Sequence, residues 1–140
     1  YADIYLKANC SHDTIQQVDW VSGAAMVIRK ECFLDIGNFD EAFFLYCEDI
    51  DICKRAKDKG WKVFYYPRLY FTHFIGGTIK RTSFSSILWH HQSIWHYYKK
   101  HFKTNILWSS FVFSVIALRA ILLSGAGLVR NLCLLNKNKK

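Results

Sequence analysis

Three carboxylates lie within four residues, at Glu48, Asp49 and Asp51, directly after the largely aromatic run 43–46. Mutual repulsion and screening from water by aromatic rings both raise the pKa of a carboxyl group, as a general base working near neutral pH requires. The same acids would also be favoured in the first turn of a helix, where the helix dipole stabilises them and Asp51 can pair with Arg55. The charge pattern alone leaves both a catalytic base and a capped helix start open.

Hydrophobic runs and glycines predict the elements that position this cluster. Residues 48–59 predict a helix with acids in its first turn and bases near its end, where Gly60 stops it. Residues 31–36 predict a short helical turn that a glycine also ends. The apolar runs 18–28 and 61–66 are rich in β-branched and aromatic residues and predict strands. A helix, a glycine and a strand in succession form an αβ unit, so the predicted fold class is α/β.

The charge is divided unevenly along the chain. Residues 1–59 hold all eleven acids and seven basic residues, whereas residues 60–140 hold twelve basic residues and no acid. Such a stretch needs an anionic partner, and lipid headgroups and nucleic acid are the two candidates. The 51% hydrophobic content in 140 residues suits one packed or membrane-contacting domain and excludes a disordered chain. Five cysteines without C-x-x-C spacing indicate small buried side chains on a reducing, cytosolic face.

An apolar stretch at residues 106–129 is long enough, at about 1.5 Å per residue, to cross a hydrocarbon core of about 30 Å. Arg119 lies near its middle, which costs at least ~2.5 kcal/mol in a bilayer, and basic residues flank both ends. We therefore expect a helix in the membrane plane or a hairpin broken near Gly125 and Gly127, with the aromatic and basic residues 89–103 at the level of lipid headgroups. A true span and a soluble core or dimer helix are the alternatives.

The residue order around the carboxylates resembles the family 2 glycosyltransferases of the GT-A type, and within them the bacterial rhamnosyltransferase-like branch. That family has the pattern G-G-F-D-E-x-F-F-x-Y-x-E-D-x-D-L-x-x-R, then G-W-x-V-x-Y-x-P and a His followed by small residues. The matching segments here are 37–55, 60–67 and His73 with Gly76, Gly77 and Thr78. Residues 20–26 look like the family's strand and glycine turn facing the acceptor. The resemblance covers about residues 18–103, with Asn38 in place of a frequent Gly and Ile52 in place of Leu.

The resemblance implies a catalytic role for the three carboxylates. Asp49 would be the base that deprotonates the acceptor hydroxyl for in-line attack on the anomeric carbon, so that transfer inverts the configuration. Glu48 and Asp51 would support Asp49 by hydrogen bonding and by positioning the helix. Arg55 would hold Asp51 from one turn further on.

The resemblance also implies binding residues. Trp20, Gly23 and Arg55 would contact the acceptor. His73 would bind the divalent metal on the donor diphosphate, Mn²⁺ or Mg²⁺, of which Mn²⁺ accepts an imidazole more readily. The donor would be a dTDP- or UDP-sugar, with rhamnose as the nearest analogy. The acceptor would be a saccharide or lipid-linked saccharide in cell-surface polysaccharide synthesis, and nucleic acid is not expected as a partner.

The implied architecture is the C-terminal, acceptor-side half of a GT-A Rossmann-like domain at residues 1–103, followed by a membrane-associated helical tail at 104–140. The family's nucleotide-binding half is not recognisable here, because Asp49-Ile50-Asp51, formally a D-x-D, falls on a predicted helix. The chain begins at Tyr1 and shows no signal peptide. We therefore expect a fragment that is inactive without its N-terminal half and works at the cytoplasmic face of a bacterial plasma membrane, peripheral or re-entrant.

Two other functions remain open from the sequence. A non-catalytic, basic and aromatic module that binds anionic membrane or single-stranded nucleic acid would explain residues 79–140 but not the carboxylate cluster. A truncated transferase homologue would retain the fold without activity.

Overall fold

A computed structural model describes residues 13–73 and 84–137, with side chains as far as Leu128. In chain order the elements are β1 (Gln16–Gln17), α1 (Lys30–Asp35), α2 (Glu48–Asp58), β2 (Phe64–Tyr65), α3 (Phe84–His101) and α4 (Ile106–Lys137), with a 3-10 turn at Gly23–Ala25. β1 and β2 form an antiparallel ladder that the Val18 N–H extends by donating to the Val63 carbonyl at 2.9 Å. Within the described residues, this short ladder is the whole of the β-structure expected of an α/β fold.

The predicted helix at residues 48–59 is confirmed as α2, and its end has a clear local cause. Gly60 has a left-handed φ of 85°, and its N–H donates to the Lys57 carbonyl at 2.9 Å. The Trp61 N–H donates to the Ala56 carbonyl at the same distance. This pair of bonds is a Schellman motif, which satisfies helix carbonyls that would otherwise lack partners.

The predicted helical turn at residues 31–36 is confirmed as α1, which ends in the same way. The Gly37 N–H donates to the Leu34 carbonyl at 3.3 Å, and the Asn38 N–H donates to the Phe33 carbonyl at 3.0 Å. Gly37 and Asn38 both have positive φ, 83° and 63°. Asparagine tolerates this conformation better than other side chains, which explains why it can replace a second glycine here.

The predicted strand at residues 18–28 is wrong as a continuous element. The 3-10 turn interrupts it, and the Ser22 hydroxyl caps that turn by accepting the Ala24 N–H at 3.3 Å. Of this run, only Val18 bonds to a neighbouring strand among the described residues. The other predicted strand, at residues 61–66, is confirmed in its central part as β2.

The core lies between α1 and α2. Its buried members are Cys32, Ile36, Ile52, Cys53 and Ala56. Partly buried side chains from the loop before α1, from α1 itself and from residues 61–63 before β2 pack around them. Two cysteines therefore occupy the core as small apolar side chains, as expected. The side chains of Cys10 and Cys133 lie outside the described part.

α3 and α4 form an antiparallel helical hairpin. The rings of Trp95 and Phe113 lie 5.2 Å apart, and Arg119 Nη1 lies 3.3 Å from His91 Nε2. α4 runs unbroken through Gly125, so the expected hairpin within the tail is wrong. Two glycines cost a helix only about 1 kcal/mol each, which a long apolar helix tolerates. The segment Ile106–Leu128 is long and apolar enough to cross a membrane by length and composition alone.

Candidate active site

The turn before α2 sets the orientation of the first turn of this helix, which holds the carboxylate cluster. Tyr46 and Cys47 both have left-handed φ, 69° and 67°, which costs on the order of 1–2 kcal/mol per residue. Contacts with α3 hold the turn in place: the Ser93 hydroxyl donates to the Leu45 carbonyl at 2.8 Å, and the Tyr46 and His90 rings lie 4.9 Å apart. Backbone strain of this kind is retained where surrounding contacts enforce it, and it is typical of functional sites.

Asp49 is partly exposed and is oriented by two backbone donors. The Gly23 N–H donates to Oδ2 at 3.0 Å, and the Ile50 N–H donates to Oδ1 at 2.8 Å. A Cβ atom on Gly23 would lie 3.4 Å from the Cβ of Asp49, at van der Waals contact, so this position has room for a methyl group but not for a longer side chain directed at Asp49. Each carboxylate oxygen can accept a further hydrogen bond, which leaves Asp49 able to receive a proton from a hydroxyl. Gly23, predicted to contact the acceptor, thus lies directly against Asp49.

Asp51 is in a different environment, with no exposed surface. Arg55 Nε and His101 Nε2 each lie 2.7 Å from its oxygens, and Lys100 Nζ lies at 2.8 Å. Burial works to raise the pKa of Asp51, but the hydrogen bonds from Lys100, His101 and Arg55 outweigh it and hold the pKa below its ordinary value. Asp51 therefore ties α2 to the end of α3, a contact that sequence reasoning missed.

Lys100 connects Asp51 with a second acid of the motif, Asp40. Lys100 Nζ lies 2.7 Å from Asp40 Oδ2, and His96 Nε2 lies 3.1 Å from the same oxygen. The bond from Lys100 is the largest influence that holds the pKa of Asp40 well below its usual range, and the Ala42 N–H adds to it. Two motif acids thus fasten α3 across the site.

Glu48 carries the raised pKa expected of the cluster. Burial is the main cause, and the neighbouring charge of Asp49 adds to it. Its Oε2 atom is buried and has no hydrogen-bond partner among the described residues. An unpaired buried carboxylate oxygen is costly in its charged form, which is consistent with the raised pKa of Glu48.

Arg55 is used inside the fold. Its pairing with Asp51 is confirmed, and its Nη1 donates to the Ile36 carbonyl at 2.5 Å. Its Nη2 is buried and has no hydrogen-bond partner among the described residues, and the side chain is 16% exposed. The contact of Arg55 with the acceptor stays a prediction. Trp20 packs against the core and borders a small surface pocket beside Ile50, where an acceptor contact stays a prediction.

The metal role of His73 also stays a prediction. His73 is exposed at the last position before the undescribed residues 74–83, which contain the matching Gly76, Gly77 and Thr78. Within residues 13–73 and 84–128, no group of three His, Cys, Asp or Glu side chains is arranged to hold a metal ion. One imidazole is a single ligand of the several that Mn²⁺ or Mg²⁺ requires, so the described residues do not by themselves fit the metal.

One face of α3 covers the motif. The ring of Phe43 lies 4.7 Å from that of His96, and the ring of Phe44 lies 4.7 Å from that of Trp89. The α3 positions that touch the motif are 89, 90, 93, 96, 100 and 101, and they follow helical spacing. From this helical spacing in the sequence, the face of α3 that packs on the motif could have been predicted. The contacts of this face correct the expectation that the whole aromatic and basic segment 89–103 faces lipid headgroups.

Comparison with known proteins identifies the family. The family model described as "Glycosyltransferase like family 2" matches residues 7–105. The chain is 32% identical over 91 residues to the rhamnosyltransferase WbbL of Escherichia coli (strain K12). This match covers 65% of this chain and 34% of that protein. The chain is also 34% identical over 76 residues to the N-acetylglucosaminyl-diphospho-decaprenol L-rhamnosyltransferase of Mycobacterium tuberculosis (strain ATCC 25618 / H37Rv), a match that covers 54% of this chain and 25% of that protein.

A shorter match is to the low-salt glycan biosynthesis hexosyltransferase Agl10 of Haloferax volcanii, which is 40% identical over 43 residues. This match covers 31% of this chain and 14% of that protein. The matched region thus spans about a third or less of each relative. No solved structure matches the chain. Because the family match extends over most of the sequence and includes the whole carboxylate motif, this chain belongs to glycosyltransferase family 2, as a rhamnosyltransferase-like member.

Proposed function

We propose that this chain forms the acceptor side of an inverting glycosyltransferase in which Asp49 is the catalytic base. The observation that carries the proposal is the setting of Asp49, whose two oxygens are oriented by the backbone N–H groups of Gly23 and Ile50 while the side chain keeps contact with solvent. A carboxylate fixed in this way needs little reorganisation before it accepts a proton.

In the proposed step, Asp49 takes the proton of an acceptor hydroxyl while that oxygen bonds to the anomeric carbon of the donor sugar. The bond from this carbon to the diphosphate breaks on the opposite side, and the nucleoside diphosphate leaves with the bonding electron pair. A single displacement of this kind inverts the anomeric configuration. Asp51 is unsuited to this role because it is fully buried and its oxygens are already held by Arg55, Lys100 and His101.

The names of the relatives guide the proposed substrates. Two are rhamnosyltransferases, and the mycobacterial one is named for a diphospho-decaprenol acceptor. We propose a dTDP- or UDP-sugar donor, with rhamnose as the first sugar to test, and a saccharide or lipid-linked acceptor at the cytoplasmic face of the plasma membrane. His73 would supply one ligand to a divalent metal on the donor diphosphate.

We further propose that donor binding requires a nucleotide-binding part outside these residues. An apolar groove of about 480 Å³ lies over the core, with Cys32, Ile52 and Ala56 among its lining residues. Val27 and Phe64 at its edge are 95% and 51% exposed. A further layer of the domain packed over this groove would bury them, as apolar side chains of a domain core usually are.

The rival function as a basic module for nucleic acid is less well supported. Three basic side chains of α3, His96, Lys100 and His101, are already paired with Asp40 and Asp51. Phosphate groups would have to displace these internal partners.

The experiment is a transfer assay with the full-length protein, labelled dTDP-rhamnose or UDP-sugars and lipid-linked acceptors. Asp49→Asn should lower kcat by roughly 10² to 10⁴, the usual contribution of a general base, and leave donor binding near that of the wild type. Glu31→Gln, which changes an exposed acid of α1 outside the motif, is the control and should retain activity. Full transfer by Asp49→Asn would remove Asp49 as the base.

A further inference from the structure

The surface of α4 has the reverse of the pattern seen in water-soluble proteins. Its large apolar side chains point outward, and eleven of them between Ile106 and Leu128 are at least 42% exposed. Its less exposed positions include small residues, among them Ser109, Ala117 and Ala120. A surface helix of a soluble domain buries its large apolar side chains and exposes its polar ones. Small residues between helices and large apolar ones outside are typical of helices in contact with lipid.

The position of α4 beside the rest of the fold limits how it can meet a membrane. α3 lies between α4 and the carboxylate motif: Trp95 contacts Phe113 on one side, while Trp89 contacts Phe44 on the other. The contact of His91 with Arg119 lies thirteen residues into α4, about 20 Å along the helix axis at 1.5 Å per residue. Over this length, α3 lies beside α4, and the carboxylate motif lies on the far side of α3.

A perpendicular crossing would therefore bury the wrong groups. If the segment Ile106–Leu128 crossed a bilayer, its neighbours in α3 and the motif would enter the hydrocarbon with it. These include the ionic cluster of Asp40, Asp51 and Lys100, which hydrocarbon strongly disfavours. Placed flat, α4 keeps that cluster on the water side and its apolar face in the membrane.

We propose that α4 docks lengthwise into an anionic lipid surface, with its apolar face in the headgroup and acyl boundary and α3 behind it on the water side. Charge supports lipid as the occupant, because no acid follows Asp58, and Lys99 and Lys103 are exposed beside the start of α4. An in-plane helix also keeps both basic flanks on one side. This proposal concerns an interaction surface and holds or fails independently of the transfer reaction.

Arg119 fits the same arrangement. It is exposed, and its Nη1 lies 3.3 Å from His91 Nε2, so its guanidinium lies on the α3 side of the helix. In a flat helix this position is at the headgroup level, where a long basic side chain reaches phosphate while its methylenes contact acyl chains. The arginine in the middle of the apolar segment is then no obstacle to membrane binding.

The first test is flotation of the full-length protein with vesicles of phosphatidylcholine, with and without about one third phosphatidylglycerol. We expect binding to the anionic vesicles that weakens with added salt. The double variant Leu107→Glu/Ile121→Glu, at outward positions of α4, should lower vesicle affinity by roughly tenfold or more. The matched control, Leu34→Glu/Leu69→Glu, changes two leucines away from α4 that are also largely exposed, and it should bind as the wild type does.

The second test separates a flat helix from a span. In inverted membrane vesicles from expressing cells, an epitope tag after Lys140 should be digested by added protease as fully as a tag at the other end. Protection of the tag after Lys140 would overturn the proposal in favour of a crossing helix. The proposal would also be overturned if the Leu107→Glu/Ile121→Glu variant bound vesicles as well as the wild type does. It would be overturned in favour of a second copy of the chain if the wild type bound no vesicles and the same variant converted a stable dimer to a monomer.

Discussion

Replacement of Asp51 by asparagine tests the division of roles among the carboxylates. Asp51 has no exposed surface and holds Arg55, Lys100 and His101 within 2.8 Å. Asparagine preserves the shape but removes the negative charge and turns one acceptor into a donor that faces other donors. Removing one partner of a buried ionic cluster usually costs ~3–5 kcal/mol, a large part of the ~5–15 kcal/mol that stabilises a typical domain. We expect Asp51→Asn to lower the free energy of unfolding by about 3 kcal/mol.

The assay is urea unfolding in mild detergent, followed by near-ultraviolet circular dichroism. The control is Asp58→Asn on the same helix, whose carboxylate is 57% exposed and pairs with Lys54 at 2.9 Å. An exposed pair of this spacing contributes no more than about 0.5 kcal/mol. The reasoning is refuted if the two variants lose the same stability, because the buried cluster would then contribute no more than a surface pair.

Three further predictions concern neighbouring residues. The pKa values of Asp40 and Asp51 are lowered in the fold, so the stability that these two carboxylates give to the protein is present above about pH 4 and is lost as pH falls through their folded-state pKa values. The free energy of unfolding of Asp51→Asn should therefore fall less steeply with acid than that of the wild type. Asn38 has a φ of 63°, so Asn38→Ala should cost about 1 kcal/mol in urea unfolding, whereas Asn38→Gly should be nearly neutral; equal losses would contradict the left-handed conformation. Gly23→Ala keeps the N–H that bonds to Asp49 and should retain kcat within about threefold. Gly23→Leu should displace Asp49 and lower kcat by roughly tenfold or more. An unchanged kcat in Gly23→Leu would show that this contact does not position Asp49.

The helix ends were predictable because their causes are local. Gly37 and Gly60 stop α1 and α2 through bonds that span six residues at most. The acids of Glu48 and Asp49 in the first turn of α2 follow from the helix dipole alone. Such signals need no knowledge of the tertiary fold.

Long-range contacts explain what the sequence could not provide. A strand needs a partner, and residues 18–28 form an interrupted loop. Among the described residues, its backbone bond to the neighbouring strand segment is the one from Val18 to Val63, next to β2. The docking of Lys100 on Asp40 and Asp51 joins positions about fifty or more residues apart, which no local pattern specifies. The concentration of acids before residue 59 and bases after it was consistent with internal pairing, but it equally indicated an external anionic partner.

The carboxylate cluster shows the same division between local and long-range causes. Sequence order singled out Glu48, Asp49 and Asp51 together, and the fold separates them. Asp49 faces Gly23, Asp51 is buried against basic side chains, and Glu48 is half-buried with a raised pKa. Differences in burial and in partners, which neighbouring positions on a helix do not reveal, create this separation. His73 lies at the edge of the described residues, so its partner ligands stay a prediction.

The most direct test of the central claim measures kcat and the free energy of unfolding together for Asp49→Asn, Asp51→Asn and the wild type in the full-length protein. The account predicts that Asp49→Asn loses roughly 10² to 10⁴ in kcat with wild-type stability. It predicts that Asp51→Asn loses about 3 kcal/mol of stability and retains most of its kcat wherever it is folded. Loss of transfer in a fully folded Asp51→Asn, together with an active Asp49→Asn, would contradict the assignment of Asp49 as the base.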